Sequence, residues 1–236
     1  KSNKSQNQTF TVNGVSFTMI KVEGGTFKMG AQSEDANADN YDKDAYNDEK
    51  PVHSVTLSDY YIGETEVTQE LWNAVMGTKY FNSNDEAVIY MSWEKCNEFI
   101  EKLNELTGKN FRFPTEAEWE YAARGGKKSK GYKYSGSNNI EDVAWFGEDN
   151  YNGSVKKKKS NELGIYDMSG NVWEWCQDMY ARYNSSPQTN PKATTGSYHV
   201  YRGGGWYYSE RICRVTNRRY NSEKNELDHT GLRLAL

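Results

Sequence analysis

Beyond Gly125-Gly126 the chain carries no apolar period long enough for a helix, and Gly, Asn, Ser and Trp take its place. Everything from there to Leu236 must therefore pack through turns and short strands. Helical signals are confined to the first part. Thr68 caps a run that reaches Met76, with Gly77 beyond its end. Ser92 opens the clearest helix: Trp93, Cys96, Phe99, Ile100, Leu103 and Leu106 recur at helical spacing, and Gly108 stops it. Thr115 and Glu118 form a capping box for a third helix through Ala122. Between these lie strand signals. Residues 9–17 read as a hairpin around Asn13-Gly14, and strands are expected at 17–22, 26–30, 52–57 and 60–64. Residues 31–50, rich in Asp, Asn and Tyr without a period, read as a solvated surface loop. The pattern predicts a single α+β domain over residues 10–236, behind a flexible tail at 1–9.

Composition explains how such a chain can still build a core. Only 36% of residues are hydrophobic, but 18 Tyr, 8 Phe and 7 Trp restore the missing volume. Tyr and Trp bury large apolar areas while keeping a polar tip. With 29 basic and 33 acidic residues, no broad basic field exists for nucleic acid. Lys156, Lys157, Lys158 and Lys159 form the one basic run and read as a solvated turn. No apolar run is long enough to span a bilayer.

Three cysteines, Cys96, Cys176 and Cys213, show no metal spacing, and an odd count leaves at least one thiol free. Cys96 sits in an apolar stripe and reads as core. Cys213, ahead of Arg214-Val215 in an apparent strand, reads as buried and structural. His53, His199 and His229 have no ligand spacing, and His53 is expected at the surface or at a strand end. No nucleophile elbow, phosphate loop or dinucleotide fingerprint is present. Arg202, Arg214, Arg218 and Arg233 lie near a Trp-rich core. They predict buried pairs with carboxylates such as Glu116, Glu118, Glu120 or Glu174.

Taken in order, GGTFKMG (24–30), GETEVT with Trp72 (63–68), FPTEAEWEYAAR (113–124), GIYDMSGNVWEW (164–175), RGGG (202–205) and GLR (231–233) resemble the formylglycine-generating enzyme, or sulfatase-modifying factor, family. The resemblance implies a C-type-lectin-like fold. It also implies a structural Ca²⁺ held by Asp167, Gly170, Val172 and Glu174, through two carboxylates and two carbonyls suited to a hard cation. Residues 137–151 match the family's second calcium site poorly, so no second ion is expected. The family's chemistry rests on two cysteines just after the RGG segment that bind copper(I). Here the first position falls near Tyr207 or Tyr208 and only Cys213 lies near the second, so no copper and no such catalysis are expected.

Residues 206–230 instead read as a recognition segment. Trp206, Tyr207, Tyr208, Ser209, Asn217, Arg219, Tyr220, Asn221, Asn225, Asp228 and His229 have the makeup of a paratope, where rigid Tyr and adaptable Ser and Asn make contacts. Many of these residue types derive from Asn codons by adenine changes. This second resemblance is to the variable proteins of diversity-generating retroelements; an ordinary polar loop region is the alternative. The expected partner is a protein or a glycan. The expected setting is a secreted or surface-displayed monomer, lipid-anchored through a segment ahead of the polar tail.

Overall fold

The computed structural model describes residues 6–147 and 153–236. The strand β1 (Gln8–Val12) starts two residues inside the stretch expected to be a tail, because Gln8 and Thr9 pair with Met19 and Thr18 of β2 (Val15–Val22). Residues 1–5 of that tail lie outside the described residues. The hairpin turns on Asn13 and Gly14, at φ 48° and 87°. Two successive left-handed residues are what a tight two-residue hairpin requires, and Asn-Gly supplies them with little strain. β2 also pairs with β5 (Tyr60–Gly63), completing one sheet. A second sheet joins β3 (Gly25–Met29), β4 (His53–Leu57) and the short β7 (Gln188–Thr189). The third has the order β10 (Thr230–Gly231), β6 (Trp173–Met179), β8 (His199–Arg202), β9 (Arg218–Asn221).

Three helices form where capping and periodicity place them. α1 (Gln69–Met76) and α2 (Trp93–Thr107) begin on the side-chain caps of Thr68 and Ser92. Both stop at left-handed glycines, Gly77 and Gly108. Trp72 of α1 stacks on Phe99 of α2, with ring centroids 4.9 Å apart. α3 (Glu116–Ala123) carries the expected Thr115–Glu118 capping box and is almost wholly buried.

β6 organises the interior. Successive strand side chains point to opposite faces, so Trp173 and Trp175 enter the core built on α1 and α2. On its other face Cys176 enters the core around α3, and Glu174 meets Trp119 of that helix. The four arginines are fully buried, each on a carboxylate. Arg202 meets Glu120; Arg218 grips Glu116 at 2.8 and 2.6 Å; Arg233 grips Glu174 at 2.9 and 2.7 Å. The fourth departs from expectation. Arg214 takes Glu49, at 2.8 and 2.6 Å, from the 31–50 segment, while Glu118 pairs with Arg112. Residues 31–50 are therefore no detached loop: Glu49 is completely buried and ties them to the C-terminal third.

Other expectations are corrected. His53 does stand at a strand end, yet it is buried. Cys213 is buried as expected, but in a run of turns rather than a strand. The lysines 156–159 do lie in a solvated turn, where Lys156, Lys157 and Lys159 make surface ion pairs with Glu64, Asp85 and Asp142 and Lys158 lies over Trp145.

Candidate functional site

The chain leaves β8 through Gly203 and Gly204, both at positive φ. A Cβ on Gly204 would stand 2.7 Å from the Cys213 sulfur, so only glycine admits this close approach. The turn delivers Trp206, Tyr207 and Tyr208 to the surface. Tyr207 is 63% exposed; Trp206 and Tyr208 are half-buried. Tyr208 packs edge-on against Trp173, 5.6 Å between centroids, so its position is fixed from the core. Its hydroxyl lies 2.9 Å from Nε2 of His229, and Nδ1 of that ring lies 2.6 Å from the Asp228 carboxylate. Burial and the nearby Asp228 raise the Tyr208 phenol above its ordinary range, so it stays protonated at neutral pH.

The strand alternation of β9 divides the remaining candidates. Arg219 faces the same side as Tyr208 and lies over the ring of Tyr46, which also meets Arg211 and Arg214. Tyr220 points to the other side, where its ring meets Tyr180 at a tilt, 3.9 Å between centroids, and approaches Tyr198 at 5.5 Å. Asn221 and Asn225 bond each other at 2.6 Å across the following turn. Ser209 is exposed. The expected set thus forms one cluster (Trp206, Tyr207, Tyr208, Ser209, Arg219, Asp228, His229) and a separate edge (Tyr220, Asn221, Asn225). Asn217 belongs to neither. It is completely buried, so it offers nothing to a partner. Sequence reasoning missed Tyr46, Tyr180 and Tyr198. Their local signal is that of any surface tyrosine, and only the fold brings them beside β9.

The calcium set fares differently from its sequence expectation. Glu174 is occupied: both oxygens accept from Arg233, and Oε2 also accepts from Trp119 at 2.5 Å. That carboxylate does not fit a cation ligand. Asp167 does. Its Oδ2 accepts the Lys156 amide at 2.8 Å, but its buried Oδ1 has no partner. Nearby, Glu66 accepts from Asn171 at 3.0 Å through one oxygen; its other oxygen and the Asn171 side-chain oxygen make no hydrogen bond. Buried polar atoms without partners are rare and call for a proton, water or cation. Burial pushes the Asp167 carboxyl up to about 6, and Glu66, buried beside Asp167, rises well above the carboxylate range. Gly170 and Val172 lie on the same buried segment. Residues 148–151, the end of the segment expected to lack a second ion, lie outside the described residues.

All three cysteines are buried and unbridged. Burial pushes the Cys213 thiol up to about 12, so at neutral pH it is a thiol and not a thiolate. No helix of the described residues is long and apolar enough to cross a membrane.

Residues 4–236 match the model of the sulfatase-modifying factor enzyme 1-like domain. The chain is 34% identical to the chaperone protein LppX of Paenibacillus barcinonensis, over 86% of this chain and 83% of that protein. It is 27% identical to the formylglycine-generating enzyme of Streptomyces coelicolor, over 92% and 88%. Among solved structures, Treponema denticola variable protein 1 superposes with a TM-score of 0.83 at 32% identity, covering 98% of this chain and 99% of the other.

Proposed function

The chain belongs to the sulfatase-modifying factor enzyme 1-like family, and from that premise we propose that it is a non-catalytic member that binds a protein or glycan partner. The binding surface is the cluster of Trp206, Tyr207, Tyr208, Arg219 and His229. One observation carries the reading. The place where the family's first cysteine would fall holds an exposed Tyr207 beside a core-anchored Tyr208, on a frame of buried ion pairs. Rigid aromatic anchors beside adaptable polar groups bind at low entropic cost. The likeness to Treponema denticola variable protein 1 supports this reading, and supports diversification of the segment by a retroelement. Display at the cell surface fits the same picture.

Screening the full chain on a glycan array and on an array of cell-surface proteins tests this. Binding lost in a Tyr207→Ala, Arg219→Ala double variant of unchanged melting temperature supports it. Binding untouched by that double variant refutes the surface. The oxidase reading predicts one copper(I) per reduced chain, dependent on Cys213. The relative named a chaperone favours a third role, as an accessory domain whose partner is another protein.

We also propose a structural calcium ion on Asp167, with the carbonyls of Gly170 and Val172 and with Glu66 and Asn171 in place of Glu174. The unpartnered Asp167 and Asn171 oxygens support it, with the second Glu66 oxygen facing Arg233 at 3.7 Å. With their protons displaced, Glu66 and Asp167 together with Glu174 would set three negative charges against the Arg233 guanidinium, leaving two for a divalent cation.

A further inference from the structure

A cavity of about 500 Å³ opens beneath residues 181–193, and none of its lining residues belongs to the surface proposed above. Its volume is that of a small-molecule site. Met29, Ala117 and Met179 give it apolar wall. His53 lines it from the start of β4, with Nδ1 donating to the Pro51 carbonyl at 2.9 Å. The wall carries little net charge. Glu116 is neutralised by its two-pronged pair with Arg218. Asp178 accepts the backbone amides of Glu116 and Ala193 at 2.9 and 3.0 Å. Burial, then the neighbouring Glu116, push its carboxyl up to about 7, so near neutrality it holds only part of a charge. By contrast Arg182 and Lys192 are exposed, and neither pairs with a carboxylate among the described residues.

We propose that this cavity binds a sugar acid, whose carboxylate is taken by Arg182 and Lys192 and whose ring enters beneath residues 181–193. Two unpaired cations beside a nearly neutral wall attract an anion. A guanidinium fork matches a carboxylate in shape as well as charge. The amides of Asn184 and Gln188 offer both donors and acceptors to hydroxyls. The methionine and alanine wall suits the C–H face of a pyranose. Inorganic phosphate would satisfy the cations but leave that wall unfilled.

Titration of the full chain with glucuronate, galacturonate and N-acetylneuraminate, followed by calorimetry and by NMR shifts, tests the proposal. Glucose and inorganic phosphate serve as comparators. At least one sugar acid is expected to bind at least about tenfold more tightly than either comparator. An Arg182→Ala, Lys192→Ala double variant should lose that preference and keep its melting temperature, since both side chains are exposed. A Tyr207→Ala variant should bind the sugar acid unchanged, which separates this cavity from the proposed recognition surface. Equal binding of glucose, equal binding of phosphate, retained preference in the double variant, or no binding of any acid at about 10 mM would each overturn it.

Discussion

The hydroxyl of Tyr208 and Nε2 of His229 stand 2.9 Å apart, joining the two ends of the 206–230 segment. Asp228 holds the other ring nitrogen at 2.6 Å, so the three side chains form one line. This line orients Tyr208, while Tyr207 beside it stays free to meet a partner. Tyr208→Phe removes a bond within the chain, so it should cost about 1 kcal/mol of stability, roughly 2–4 °C of melting temperature, and weaken partner binding only through the looser Tyr208. Tyr207→Ala should cost about 2 kcal/mol or more, as exposed aromatic anchors do at interfaces. Tyr207→Ala should melt within a degree or two of the parent. Calorimetric unfolding beside binding isotherms checks this; a large drop in stability for Tyr207→Ala would mean that the ring is structural.

Glu49 and Arg214 make the contact that fastens residues 31–50 to the C-terminal third. Removing one partner of a buried pair leaves the other charge uncompensated, a loss of about 3–5 kcal/mol. Glu49→Gln should therefore lower stability by that order and loosen the segment that holds Tyr46 against Arg219. Hydrogen exchange should rise first in residues 31–50. Uniform loss of protection across all three sheets would instead assign Glu49 to global stability alone.

The helices, the Asn13-Gly14 hairpin and three of the four arginine pairs were legible because their causes are local or compositional. A cap, a period or a left-handed turn is written in consecutive residues. A buried arginine must also find a carboxylate somewhere. Which carboxylate is a tertiary question, and Arg214 shows it: Glu49 lies in a segment whose acidic look suggested solvent. The makeup of residues 206–230 was legible, but their geometry was not. Strand alternation, invisible until β9 is placed, sends Arg219 and Tyr220 to opposite faces. Asn217 looked the same as its exposed neighbours and turned out buried.

The cysteines give a direct discriminator between binding protein and oxidase. Cys96, Cys176 and Cys213 are all buried, and burial raises each thiol well above its ordinary range. A native chain should leave a disulfide reagent such as Ellman's unreacted over minutes and release three thiols on unfolding. Reduced protein should retain no stoichiometric copper(I) after gel filtration. Rapid reaction of one native thiol together with copper retention would return the oxidase reading to the front.

At the buried acids Asp167 and Glu66 the proposed calcium and pH would act on the same atoms. Burial pushes the Asp167 carboxyl up to about 6, so the metal-free fold holds a proton there that the unfolded chain has already released. A folded-state value above the unfolded one stabilises the fold fully at low pH. That contribution is lost as pH rises through about 6. Glu66 shifts in the same direction, from burial and from Asp167. A divalent cation replaces those protons, so it should matter least where they are bound. Calcium should therefore raise the melting temperature little at about pH 5 and clearly at about pH 7.5. Saturation at a hundred times Kd would add about 2.7 kcal/mol. Asp167→Asn should flatten the pH dependence of the metal-free protein and weaken the calcium response together. Melting curves with calcium or with EDTA, at both pH values, decide the matter. Identical curves at the higher pH would remove the ion and leave a shared proton as the occupant of this acidic cluster.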